Sequence, residues 1–159
     1  MGHDRKLILD RLLQASPENV WRCWTEPELA KHWFAPKPVE TTVFEMDVRP
    51  GGGFRTVMVI PDHGEMAGDP GCILVAERAK RLVWTNCLGP DFAPNKLGDG
   101  EFDFGFTVDI LMTPEAGGCR YVAAVTHADD AGMKKHEAMG FHDGWGAATA
   151  QLEALAGSL

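Results

Sequence analysis

Histidine exchanges protons most readily near neutral pH, and three of the six histidines lie in the last third of the chain. His136 and His142, with Asp143, offer the residue types of a metal site. These two histidines are six residues apart on a predicted helix, whereas helical zinc ligands are four apart on one face. Their acidic and glycine-containing surroundings are typical of a solvated helix edge. We therefore predict no metal site and no cofactor.

His127 is the histidine best placed to meet a ligand, because it ends an apolar segment with strand composition. A neutral imidazole there could orient a ligand or accept a proton; alternatively, it is bonded to nearby backbone. The sequence supplies no second residue to orient His127. It also contains no Gly-x-Ser-x-Gly motif, activated cysteine or telling pair of carboxylates. We therefore predict no catalytic residue.

Arg55 and Asn86 are the other polar candidates. The Arg55 guanidinium could anchor a carboxylate inside the fold, or it could form an ion pair with Glu45 or Asp47. Its segment is apolar on both alternating faces, so the pattern leaves both interpretations open. Asn86 shares a strand face with Trp84, and a large apolar wall beside a small polar group is common in ligand cavities. Core packing is the alternative for that pair.

The elements that would position these side chains begin with a strand at residues 6–14 and two short helices. Ser16-Pro17-Glu18 predicts the first helix start, with a serine N-cap, a proline in the first position and an acid in the first turn. Thr25 and Glu28 fit a capping box that would begin the second helix. Two prolines end that helix near residue 34, which places Trp33 at the entrance of a cavity.

Residues 39–127 read as strands separated by turns. The glycine-rich run 47–53 predicts a tight or bulged corner between two antiparallel neighbours. The clearest alternation of apolar with small or polar residues lies at 104–112. The predicted strands cover residues 39–48, 54–60, 73–77, 82–87, 104–112 and 119–127.

The last segment predicts one long helix with a continuous apolar face. We expect this face to cross the concave side of the sheet opposite Phe104, Phe106 and Val108, with Trp145 fully buried. One helix cannot fill a wide curved sheet, so a cavity is expected between them. The face consists of Phe141, Trp145, Ala148, Leu152 and Leu155. The residues predicted to contact a ligand are Trp33, Arg55, Trp84, Asn86, Phe104, Phe106, His127, Phe141 and Trp145.

Composition narrows the function classes. A chain of 159 residues suits one domain, residues 1–159, with a core that needs no staples. The net charge of −8 argues against nucleic acid and anionic membranes as partners. The first residues lack the apolar core of a signal peptide, so we expect a cytoplasmic protein. Without a Cys-x-x-Cys motif, all four cysteines are predicted to be reduced and buried; they are Cys23, Cys72, Cys87 and Cys119.

Four sequence features, taken in this element order, resemble the START-like (SRPBCC) helix-grip superfamily. Within it, the chain is similar to bacterial homologues of the activator of the ninety-kilodalton heat-shock chaperone's ATPase. The features are Ser16-Pro17-Glu18-Asn19-Val20-Trp21 with Thr25-Glu26-Pro27-Glu28-Leu29 and Trp33; Asp47-x-Arg49-Pro50-Gly51-Gly52; Arg81-Leu82-Val83-Trp84-Thr85; and Gly144-Trp145 with Leu152 and Leu155. Two departures, at residues 61–72 and 88–101, could reshape the cavity mouth, which we expect to open near Trp33 and the second of these segments; whether residues 88–101 act as a lid stays open.

The resemblance implies an α+β helix-grip fold: a curved antiparallel sheet of six or seven strands around a long C-terminal helix, with two short helices after the first strand. It implies binding of a small apolar or amphipathic molecule. A cyclase or hydratase using the same cavity is the first alternative, and a chaperone ATPase regulator in the stress response is the second. We disfavour a chaperone partner, because the eukaryotic co-chaperone uses a further domain. A homodimer remains open.

Overall fold

A curled antiparallel sheet dominates the computed structural model, which describes residues 5–98 and 103–159. Seven strands follow one path in the order β1-β8-β7-β6-β5-β3-β2, and β4 extends the sheet beside β3. The strands are β1 Lys6–Leu13, β2 Glu40–Met46, β3 Gly53–Ile60, β4 Gly64–Ala67, β5 Gly71–Glu77, β6 Arg81–Thr85, β7 Phe106–Glu115 and β8 Gly118–His127. The helices are α1 Pro17–Thr25, α2 Pro27–Ala30, α3 Asp130–Ala138 and α4 Phe141–Gly157. The predicted α+β helix-grip fold is confirmed.

Helix α1 begins where the sequence predicts, and its apolar side faces the core. The Ser16 hydroxyl oxygen accepts a hydrogen bond from the Asn19 N–H at 3.1 Å, so Ser16 caps a helix that starts with Pro17. Trp24 on this helix is almost fully buried, and its indole N–H donates to the Tyr121 hydroxyl of β8 at 2.9 Å. This hydrogen bond joins α1 to the sheet.

The predicted second helix start is wrong in its details. Thr25 is the last residue of α1, and its hydroxyl donates to the Trp21 carbonyl at 2.8 Å instead of capping a new helix. Glu26 precedes α2 without a side-chain capping bond. Helix α2 is a single turn that ends at Ala30, and turns lead on to Phe34. The Thr25 hydroxyl thus forms its hydrogen bond with a carbonyl four residues earlier in α1, and this bond competes with capping of the next helix.

The glycine corner between β2 and β3 is confirmed. Gly51 has a φ of 84°, which favours glycine, and a Cβ on Gly52 would lie 1.9 Å from the Asp47 carbonyl oxygen. The Gly51 N–H donates to the Ile73 carbonyl at 2.7 Å, and the Ile73 N–H donates to the Gly52 carbonyl at 2.8 Å. The corner therefore joins the β2–β3 pair to β5.

The C-terminal segment forms two helices where the sequence predicts one. The Asp129 carboxylate accepts from the Gly132 N–H at 2.7 Å and caps α3. Gly140, with a φ of 95°, lies between α3 and α4. A left-handed glycine is the common end of a helix, because it carries no Cβ that would clash. This break turns α3 onto the end of β8.

The buried face of α4 is rotated relative to the prediction. Trp145, Ala148 and Leu155 are half-buried, and α4 packs mainly against α1 and β1. The sequence predicts that Trp145 is fully buried opposite Phe106, and this prediction is wrong. Trp145 instead stacks on Phe141, with ring centroids 5.0 Å apart. The residues of α4 that are buried are Phe141, Gly146, Thr149, Leu152 and Ala156.

The described part of the long loop, residues 88–98, packs on the glycine corner. The Asp91 N–H donates to the Gly51 carbonyl at 2.8 Å. A Cβ on Gly53 would lie 3.1 Å from Cγ of Pro90, and one on Gly51 would lie 3.0 Å from the Phe92 ring. Positions 99–101 of this loop lie outside the described residues.

Two further features bear on the sequence predictions. All four cysteines are free thiols, but Cys87 is half-buried, so the prediction that all four are buried is wrong at this position. Burial raises the pKa of Cys23 to about 11. Within the described ranges, no helix combines the length and the apolar character needed to cross a membrane.

Candidate functional site

A pocket of about 410 Å³ lies between the concave side of the sheet and the helices. Its sheet wall comes from alternate residues of β3 and from the ends of β6 and β7. Its other wall comes from α1, from the 33–36 segment and from the α3–α4 junction. Exposed residues at the edge of the pocket mark its rim: Gly68, Asp69 and Met139. No residue of the described loop segment 88–98 lines the pocket, so this segment does not border the cavity mouth where the sequence predicts it.

Aromatic rings form most of the pocket wall. Trp84 meets Phe54 edge-to-face with ring centroids 4.8 Å apart, and Phe106 at 5.7 Å. Trp24 meets Trp33 at 4.9 Å in the same manner. Edge-to-face contacts at these distances are favourable and fix each ring through its neighbours. The wall is consequently apolar and pre-formed.

The indole nitrogen of Trp84 is exceptional among the buried polar atoms. Trp84 is 8% exposed, and its Nε1 is the only buried side-chain nitrogen or oxygen of the described residues without a hydrogen-bond partner. The two neighbouring indoles differ: Trp24 Nε1–H donates to the Tyr121 hydroxyl at 2.9 Å, and Trp33 Nε1–H donates to the Cys23 carbonyl at 2.8 Å. Trp84 therefore lines the pocket with its ring, while its N–H is enclosed by neighbouring atoms.

Asn86 lines the pocket, but its amide is engaged in holding the sheet. Its Nδ2 donates to the Phe104 carbonyl at 2.9 Å, and its Oδ1 accepts from the Phe106 N–H at 2.9 Å. These bonds tie the end of β6 to the start of β7. The amide of Asn86, predicted as a polar group for a ligand, therefore bonds to backbone groups of the protein.

The predicted environment of His136 is wrong, because this histidine is 7% exposed and lines the pocket. Its Nδ1 lies 2.9 Å from Nε2 of His127, and Nδ1 of His127 lies 3.0 Å from the Arg5 carbonyl oxygen. The ring of His136 packs between Phe104 and Phe141, at centroid distances of 4.8 and 5.0 Å. His127 therefore has the orienting partner that the sequence does not reveal.

The protons of the uncharged histidine pair have one arrangement that satisfies both contacts. A carbonyl oxygen only accepts, so Nδ1 of His127 must carry a hydrogen and its Nε2 must be an acceptor. Nδ1 of His136 then donates to it, and Nε2 of His136 keeps a free lone pair. Burial, together with the nearby His127, lowers the pKa of His136 from 6.5 to about 4.

Six of the predicted site residues line the pocket and three do not. Arg55 projects away from it and pairs with Glu45 of β2, with Nη1 and Oε1 3.4 Å apart; its ion-pair interpretation is the one the structure adopts. Phe104 and His127 lie behind His136, outside the lining. The six that line the pocket are Trp33, Trp84, Asn86, Phe106, Phe141 and Trp145.

Several residues that line the pocket were not identified from the sequence. Among them, His136 and Tyr121 carry polar groups that can exchange protons or form hydrogen bonds. Burial raises the pKa of the Tyr121 hydroxyl, so it remains protonated and able to donate. A signal for His136 exists: Asp129 as an N-cap and Gly140 as a helix end delimit a separate short helix. Within residues 5–98 and 103–159, no group of three or more metal-ligating side chains is assembled.

The fold and pocket define a START-like helix-grip protein, and comparison with known families makes this specific. The chain matches, over residues 14–157, the family described as Activator of Hsp90 ATPase homolog 1-like protein. It therefore belongs to that family. No protein among those with curated descriptions matches it.

Solved bacterial structures share the fold along nearly the whole chain. Protein NE0264 from Nitrosomonas europaea is 39% identical, with 98% of this chain and 96% of that chain covered and a TM-score of 0.88. Protein Ms6760 from Mycobacterium smegmatis is 24% identical, with coverage of 96% and 90% and a TM-score of 0.77. A protein from Rhodobacter sphaeroides is 23% identical, with coverage of 100% and 97% and a TM-score of 0.81. At 24% and 23% identity, the second and third structures show a shared fold and nothing more.

Proposed function

We propose that this protein binds a small, mostly apolar or amphipathic molecule in the pocket between the sheet and α4. The observation that carries the proposal is the aromatic wall of the pocket, in which Trp84 meets Phe54 and Phe106, and Trp24 meets Trp33, edge-to-face. Apolar surface of this kind favours an apolar ligand, because contact with the ligand removes that surface from water.

The dimensions of the pocket support the same proposal. Its volume of about 410 Å³ falls in the range of small-molecule sites, roughly 300–1,000 Å³. Its wall is mainly aromatic, with few polar groups, which is the usual composition of such sites. The family description refers to activation of the Hsp90 ATPase; chaperone regulation is supported by that description, whereas ligand binding is supported by the pocket itself.

Acid–base catalysis in the same pocket is the second candidate, because His136 lines the wall and is oriented by His127. An efficient general base has a pKa near the working pH. The pKa of His136 is instead lowered to about 4 by burial and by His127, which makes its imidazole a weak base at neutral pH. This contrast favours binding over catalysis.

A fluorescence titration with the neutral dye N-phenyl-1-naphthylamine tests the proposal. We expect saturable binding at micromolar concentrations. Ala148 is half-buried and lines the pocket, whereas Ala147 is exposed beside it on α4. Ala148→Phe should fill the pocket and weaken binding at least tenfold, and the matched Ala147→Phe should leave it unchanged. Equal affinity in the two variants, or no saturable binding to the unaltered protein, would contradict the proposal.

A further inference from the structure

The His127–His136 pair gives the pocket a chemical preference. His136 is the only histidine that lines the pocket among the described residues, and it reaches the wall from α3 rather than from the sheet. Its Nδ1 is committed to His127 at 2.9 Å. The question for ligand recognition is therefore what its second nitrogen, Nε2, presents to the pocket.

Nε2 of His136 makes no hydrogen bond among the described residues. Among the described residues, the only fully buried side-chain nitrogen or oxygen without a hydrogen-bond partner is Nε1 of Trp84. Nε2 of His136 has no partner either, so it is not fully buried. Nε2 therefore keeps accessible surface. Because His136 is 7% exposed and contributes to the pocket wall, we assign that surface to the pocket.

The state of Nε2 follows from the far end of the pair. The Arg5 carbonyl oxygen accepts both the backbone N–H of His127, at 2.8 Å, and the Nδ1–H of its ring, at 3.0 Å. This fixes an acceptor at Nε2 of His127 and a donor at Nδ1 of His136. In the uncharged pair, Nε2 of His136 therefore offers a lone pair and no hydrogen.

We propose that the pocket ligand carries a hydroxyl group, as a phenol or an enol, whose O–H donates to Nε2 of His136. His127 acts as the positioning residue that fixes the tautomer. This inference rests on the proposed binding function and specifies its ligand class. A carboxylate is disfavoured at this place, because an ionised carboxylate offers only acceptors to an acceptor. A purely hydrocarbon ligand would leave the Nε2 lone pair without a partner.

The surrounding rings suit an aromatic alcohol. Phe106 neighbours both His136 and Trp84, with its ring centroid 5.5 Å from that of His136 and 5.7 Å from that of Trp84. An aromatic ring packed on Phe106 would share this apolar surface with the Trp84 indole and would bring a hydroxyl substituent toward Nε2 of His136. Burial lowers the pKa of His136, which keeps this imidazole uncharged and its lone pair available at neutral pH.

The test compares 2-naphthol with 2-methylnaphthalene, which has nearly the same shape but no donor, by calorimetric titration at pH 7.5. We expect 2-naphthol to be favoured about three- to tenfold more in the unaltered protein than in His136→Asn. Asparagine places an amide N–H near the position of Nδ1, so it keeps the bond to His127 but lacks Nε2. If the ratio of the two affinities is the same in both proteins, the hydroxyl inference is wrong although binding stands. If neither probe binds, the proposed function itself fails.

Imidazole ¹⁵N NMR tests the positioning role without a ligand. We expect His136 in the Nδ1–H tautomer at pH 7.5 in the unaltered protein and in His127→Gln, whose amide oxygen can still accept. His127→Leu removes that acceptor and should release His136 to the Nε2–H tautomer that predominates in water. An Nε2–H tautomer in the unaltered protein, or no change in His127→Leu, would overturn the assignment even if the affinity variants fold poorly.

Discussion

Nδ1 of His136 lies 2.9 Å from Nε2 of His127, so a helix residue is held against the last strand of the sheet. Both rings are buried, and the Arg5 carbonyl anchors the far side of the pair. Each ring is also flanked by Phe104 and Phe106. A charged imidazole at His136 would lose hydration and would meet His127 at close range, so its pKa is lowered.

This lowered pKa predicts how stability depends on pH. Between about pH 6.5 and 4, the unfolded chain binds a proton at His136 that the folded protein does not, so stability falls as the pH falls through that window. The loss approaches roughly 3 kcal/mol at the acid end. We expect urea denaturation at pH 7.5 and 4.5 to show a smaller pH effect in His136→Asn than in the unaltered protein.

The exposed His142 provides the control for that measurement. Its Nε2 lies 3.4 Å from the Glu137 carboxylate, and it is an exposed histidine near the same helix junction. His142→Asn should keep the pH dependence of the unaltered protein to within about 0.5 kcal/mol. A slope that disappears in His142→Asn and persists in His136→Asn would refute the account.

Asn86 should matter more for stability than a typical lining residue. Asn86→Ala removes the bonds to the Phe104 carbonyl and the Phe106 N–H, and we expect the free energy of unfolding to drop by about 1–3 kcal/mol. Thr56 also lines the pocket, but its hydroxyl makes no hydrogen bond among the described residues. Thr56→Val should change stability by less than about 0.5 kcal/mol. If chemical denaturation showed equal losses of unfolding free energy in Asn86→Ala and Thr56→Val, the Asn86 hydrogen bonds would not stabilise the sheet.

The glycine corner predicts a sharp difference between two glycine substitutions. A Cβ on Gly52 would lie 1.9 Å from the Asp47 carbonyl oxygen, whereas one on Gly68 meets nothing within 4 Å. Gly52→Ala should therefore lower stability by more than about 2 kcal/mol or prevent folding, because backbone must move. Gly68→Ala should be nearly neutral in thermal denaturation. A Gly52→Ala protein as stable as Gly68→Ala would contradict the described corner.

Much of the architecture can be predicted from the sequence, because it depends on preferences of residues that are close together in the chain. Ser16-Pro17-Glu18 specifies a capped helix start, the 47–53 run requires glycine backbone angles, and alternation in β7 sets its inward face. The position of Trp84 in a pocket wall follows from its strand parity and from the curvature of the sheet.

The rest depends on where distant segments meet. The His127–His136 contact requires the chain to turn at Asp129, so that α3 packs against the end of β8, and no periodic pattern marks that turn. Loop 88–98 packs on Gly51 and Gly53 instead of over the pocket, because those glycines leave room for Pro90 and Phe92. Neither periodicity nor residue type determines such docking, so the site is less predictable than the fold.

The indole ¹H–¹⁵N signals during titration with 2-naphthol test ligand binding in the pocket most directly. The chain has five tryptophans; four line the pocket, and Trp21, on the same helix as Trp24, does not. We expect the signals of the pocket tryptophans, that of Trp84 among them, to move as the ring current of the bound aromatic probe acts on them, and that of Trp21 to stay in place. If all five signals stay fixed at saturating probe, or if Trp21 moves while Trp84 does not, the pocket is not the binding site.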